Sequence, residues 1–134
     1  MTSTDSLRPG LTGKAEATVG REDLAQQVGS GDVAVYATPC LAALMESAAI
    51  TAIKGLLPAG KTTVGARLEL SHLAPTPAGI TVRAEARLEE AESKKLRFSI
   101  TAFDEREKIG EASHERIIVD REKFTTRAEE KAKS

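Results

Sequence analysis

The chain has 134 residues, 40% of them hydrophobic and 29% charged, with a formal net charge of −1. That is the size of one domain able to bury a core without staples, and it lacks the clustered basic residues of a nucleic-acid binder. A single cysteine excludes an internal disulfide and fits a reducing, cytoplasmic setting, the polar start reads as no secretory signal, and no apolar run approaches the roughly 20 residues of a membrane span.

Aromatic residues make up 3% of the chain and tryptophan is absent, so the core must be built from Ala, Val, Leu and Ile. Residues 1–9 read as a loose lead-in. Residues 14–19 alternate weakly and predict a first strand. A short helical turn is expected over residues 22–28, followed by a flexible Gly29-Ser30-Gly31-Asp32 loop. The clearest helix comes next. Thr38 is a good N-cap, Pro39 suits the first helical position, and the run from Leu41 to Ile53 is apolar nearly all round, which predicts a buried helix ended by Gly55 or Pro58.

Four strands are predicted after it, over residues 62–73, 80–90, 96–103 and 108–119. The second alternates cleanly, with Val82, Ala84, Ala86 and Leu88 on one face and Arg83, Glu85, Arg87 and Glu89 on the other. The tail is charged, and residues 125–134 read as loose. One domain spanning residues 1–134 is expected, of α+β class: an antiparallel sheet wrapped around one long central helix, which is the hotdog layout.

Few residues can carry chemistry. Glu46 is the only acid on the apolar helix, so it either lies on a solvated stripe or is held for a purpose, because an unpaired buried charge is expensive. His72 interrupts a regular strand. His114, the only other histidine, reads as structural. Thr38 sits at a helix start, whose unpaired N–H groups can face developing negative charge. Pro39 removes one donor, leaving the N–H groups of Cys40 and Leu41 to offer. Cys40 reads as a small buried thiol rather than a nucleophile. Two histidines and one cysteine show no metal-ligand spacing, and no cofactor is expected.

Taken in order, Tyr36-Ala37-Thr38, Leu44-Met45-Glu46, Val64-Gly65, Ser71-His72-Leu73-Ala74-Pro75-Thr76-Pro77, Ile109-Gly110, His114-Glu115-Arg116 and Glu122-Lys123-Phe124 resemble the fluoroacetyl-CoA thioesterase-like family of hotdog thioesterases. The resemblance implies hydrolysis of an acyl-CoA thioester by Thr38, Glu46 and His72. It also implies that Gly65 lines the site, with Pro39 and Cys40 bordering the substrate, and that two sites lie at the interface of a homodimer. Two departures stand out. Pro39 replaces a glycine common in the family, and the loop from Gly29 to Val33 lacks the bulky aromatic lid that goes with fluoroacetyl selectivity. The competing expectations are a non-catalytic acyl-CoA-binding module and a hotdog hydratase or dehydratase.

Overall fold

Residues 6–133 are described in a computed structural model. Strand β1 (Thr12–Thr18) leads through a 3-10 turn (Arg21–Asp23) and a short helix, α1 (Ala25–Val28), to the long helix α2 (Thr38–Ala52). Four strands follow, β2 (Lys61–His72), β3 (Thr81–Glu92), β4 (Lys95–Phe103) and β5 (Lys108–Asp120), before helix α3 (Arg121–Glu130). All five strands form one antiparallel sheet in the order β1-β3-β4-β5-β2. The predicted α+β layout is present, with every predicted strand within a few residues of its expected bounds.

Alternation decides which face is buried. Val82, Ala84, Ala86 and Leu88 of β3, and Leu96, Phe98, Ile100 and Ala102 of β4, all point inward and are buried. Burying one Phe or Leu side chain stabilises by roughly 1.5–3 kcal/mol, so these two central strands dominate the core. The opposite face carries charge, including an Arg83–Glu85 pair at 2.7 Å. Helix α2 lays Leu41, Leu44, Met45, Ala48, Ala49 and Ala52 onto the inner face, chiefly over β1 and β3. Its other side is open in the single chain: Ala43, Ser47 and Ile50 are exposed. The helix is thus less completely buried than its composition suggests.

The helix start differs from the sequence expectation. Ala37, in extended conformation, is the N-cap, and Thr38 is the first helical residue, which puts Pro39 second. No side chain caps the helix, because the N-cap residue is an alanine with no polar side chain; the Thr38 hydroxyl bonds elsewhere. The termini are also more ordered than expected. Leu7 is buried in the core, and residues 125–130 are helical within α3, whose N-cap Asp120 accepts from the Lys123 N–H at 3.0 Å. Residues 1–5 and 134 of the expected loose ends lie outside the described residues.

Close approach of β1 to α2 requires Gly13. A Cβ there would run into the backbone of Ala52 and lie 2.6 Å from the Ala48 carbonyl oxygen. Neither backbone atom can yield without shifting the helix that carries Thr38 and Glu46. Gly13→Ala is therefore expected to lower the unfolding free energy by about 3 kcal/mol, at the upper end of overpacking costs. Urea denaturation checks this; an unchanged midpoint would contradict the close approach.

Candidate active site

His72 is the last residue of β2 and pairs with Gly110 of β5. That places its ring beside the first turn of α2, where Thr38 Oγ1 lies 2.8 Å from His72 Nδ1. The other ring nitrogen, Nε2, is buried without a hydrogen-bond partner among the described residues. Burial holds the imidazole below its ordinary pKa and so favours the neutral ring. An open cleft of about 310 Å³ adjoins the pair, lined by Ala25, Ser30, Val35, Tyr36, Leu73 and Pro75 among others.

Backbone donors at the helix start are arranged differently from expectation. The N–H groups of Cys40 and Leu41 both donate to the Ala37 carbonyl, at 3.0 and 3.1 Å. They are not left to offer. Pro39 is exposed and has no N–H. The Thr38 N–H is the first-turn donor with no acceptor among the described residues. Cys40 is half-buried, its Sγ 4.0 Å from Asp23 Oδ1. Burial, with Asp23 and Glu22 nearby, pushes its thiol pKa up, which disfavours a thiolate. Tyr36 donates to the Cys40 carbonyl at 3.2 Å, and its hydroxyl is pushed up to about 12 by burial and by Cys40 and Asp23.

Glu46 lies elsewhere along the same helix. Eight residues separate it from Thr38, roughly 12 Å at the helical rise, and the helix between them is continuous. Its side chain is 40% exposed, so it is not a fully buried charge. Its neighbours are Gly65, His114 and Arg116. A Cβ at Gly65 would sit 2.5 Å from Glu46 Oε2, so this glycine adjoins the carboxylate. Arg116 Nη1 donates to Glu46 Oε2 at 3.5 Å.

His114 was read as structural, yet it stands in this same cluster, 3.8 Å from Glu46 Oε2 and 1% exposed. Its partners fix its tautomer. Nδ1 lies 2.8 Å from the Arg67 carbonyl, which can only accept, so Nδ1 carries the proton. Nε2 lies 3.1 Å from Arg116 Nη1, which can only donate, so Nε2 accepts. The ring is neutral, and burial first of all lowers its pKa, aided by the Arg116 charge against the Arg67 bond and Glu46. A sequence signal for this cluster did exist. On β5, His114 and Arg116 fall on the inward phase shared with Ala112 and Ile118, where polar residues need a reason.

One chain thus brings Thr38 and His72 together and separately groups Glu46 with Gly65, His114 and Arg116. No three His, Cys, Asp or Glu side chains among the described residues are grouped to hold a metal ion. A sequence family described as fluoroacetyl-CoA-specific thioesterase matches residues 19–122. The chain belongs to this family. It is 34% identical over 97 residues to a fluoroacetyl-CoA thioesterase from Streptantibioticus cattleyicolor, covering 72% of this chain and 70% of the relative.

A solved structure of the fluoroacetyl-CoA thioesterase FlK superposes with a TM-score of 0.85 at 29% identity, covering 92% of this chain and 96% of that one. A thioesterase superfamily member from Thermus thermophilus gives 0.84 at 29% identity, with 92% and 94% covered. A hot-dog-like protein from Thermanaerovibrio acidaminovorans, at 22% identity and 0.82, shares the fold. The fold is the hotdog, and the family's activity is acyl-CoA thioester hydrolysis.

Both histidines have folded-state pKa values below the ordinary value of 6.5. The unfolded chain therefore takes up protons that the folded chain refuses, and stability falls as pH drops from about 6.5 toward the folded values. Above about pH 7 they contribute no slope. Equilibrium unfolding from pH 8 to 5 should show a decline confined to the acidic half, shallower in His114→Gln. An equal slope in that variant would contradict neutral burial of His114.

Proposed function

We propose that the chain hydrolyses a small acyl-CoA thioester at a site uniting Thr38 and His72 of one chain with Glu46 of a second copy in a homodimer. The observation that carries this is the division of the three groups along one continuous helix, with Thr38 and His72 in contact and Glu46 about 12 Å away along the axis. A two-fold dimer resolves it, because each helix start can then face the partner's Glu46. Strand β2 lies at the sheet edge, so one of its sides has no neighbouring strand among the described residues. Its pairing with a second β2 would remove that edge.

In this reading the thioester carbonyl lies at the start of α2, where the Thr38 N–H and the helix dipole stabilise the developing oxyanion. The Glu46 carboxylate either attacks the carbonyl or takes a proton from the attacking water. Both routes add one water and release the free acid and CoA. The leaving thiol, with a pKa near 8.5, needs little assistance. His72, tied to Thr38 through Nδ1 and with its Nε2 unpartnered among the described residues, is the group that exchanges protons in this reading. The reaction so drawn uses protein groups alone, with no cofactor.

The open cleft beside His72, bordered by Val35 and by Leu73 at 54% exposure, suits small acyl groups other than fluoroacetyl as well. No described helix is long and apolar enough to cross a membrane, and a half-buried free thiol accords with a reducing cytoplasm.

Free CoA release from a panel of short, branched, aromatic and halogenated acyl-CoAs tests the activity. Wild type should turn over at least one class, and Glu46→Gln should lose at least about 100-fold in kcat while staying folded. Binding without CoA release would support the non-catalytic module instead. Separately, sedimentation should give twice the 14.2 kDa chain mass; a fully active monomer would overturn the shared site.

A further inference from the structure

Arg116 is a charge inside the protein, 5% exposed, and such a group persists only where its donors are satisfied. Its bonds are also directional. Nε donates to the Thr63 hydroxyl at 2.9 Å and Nη2 to the Thr63 carbonyl at 3.2 Å. One residue of β2 therefore grips one edge of the guanidinium plane. The remaining nitrogen, Nη1, donates to His114 Nε2 at 3.1 Å and reaches Glu46 Oε2 at 3.5 Å.

The His114 ring cannot swing away from this task, since its Nδ1–H is held by the Arg67 carbonyl. Pairing of β2 with β5 shifts register between Gly65 and Arg67, so Ala66 is an extra residue in the strand. Bulges of this kind re-aim neighbouring groups. Gly65 lies between the two anchors, and its missing side chain leaves room for the carboxylate. Residues 63–67 of β2 thus cradle Arg116 and His114 from one side while clearing a path to Glu46.

We infer that Thr63 and His114 are positioning residues for the hydrolysis, fixing the Arg116 guanidinium so that Nη1 sets the direction in which the Glu46 carboxylate faces the substrate. This rests on Glu46 being the reacting carboxylate. Neither residue needs to touch the substrate. A network that only supported the fold would affect every variant of Glu46 alike, whereas one that aims the carboxylate acts only when the carboxylate reaches it.

The test is a kinetic cycle on CoA release. Thr63→Val keeps the side-chain shape and removes the hydroxyl acceptor, and Thr63→Ser restores it. Thr63→Val should lower kcat about tenfold with KM nearly unchanged, and Thr63→Ser should stay within about twofold of wild type. In a Glu46→Asp background, where the shorter carboxylate is withdrawn from Nη1, Thr63→Val should cost nothing further. Thermal melts of each variant separate unfolding from loss of aim. His114→Gln, which keeps an acceptor but loses the ring's fixed geometry, should repeat the pattern if Thr63→Val fails to fold. The same fractional loss in both backgrounds, or no loss in either, overturns the positioning role. No CoA release from the wild type overturns the function reading itself, and this inference with it.

Discussion

The contact between a nearly acid-free helix and a strand with no side chain at the crossing governs much of this molecule. Gly13 of β1 lets the backbone of α2 approach at Ala48 and Ala52, and small residues on the buried side of the helix keep it there. Seated over β1 and β3, the helix leaves the β5 and β2 portion of the inner face less covered. That portion need not be apolar. It holds His72, His114, Arg116 and Thr63, the polar side chains that meet Thr38 and Glu46 of the helix.

The same seating fixes the helix as a ruler. Thr38 at its start and Glu46 two turns on cannot approach each other without breaking it, and its hydrogen bonding begins cleanly from the Ala37 carbonyl. The division between the His72 pair and the Glu46 cluster is thus a consequence of helix geometry. Charge follows the same division. Burial pushes the pKa of both His72 and His114 down, while the buried guanidinium of Arg116 faces the half-exposed carboxylate of Glu46.

Much of the fold was legible in the sequence because periodicity reports burial directly. The alternation of residues 82–88 marked β3, and the unbroken apolar run from Leu41 marked α2. Glu46 and His72 stood out as exceptions to those patterns, whereas Gly65 was marked only by the family resemblance. The use of the Thr38 hydroxyl did not, since capping explained the residue adequately until His72 came within 2.8 Å of it. Strand order, and with it the meeting of Thr63 with Arg116 across 53 residues, depends on long-range pairing that no local pattern encodes. The register shift near Ala66 is of the same kind. His114 and Arg116 were readable as inward-facing polar residues, but only once the phase of β5 was weighed against that of its neighbours.

Subunit complementation tests the shared site most directly. His72→Ala and Glu46→Gln chains, each inactive alone, are co-refolded in equal amounts and assayed for CoA release. If Thr38 and His72 of one chain work with Glu46 of the other, half the dimers are mixed and each carries one intact site, so about a quarter of wild-type activity returns. If all three groups act within one chain, no dimer contains a complete site and the mixture stays inactive, which would contradict the shared site outright.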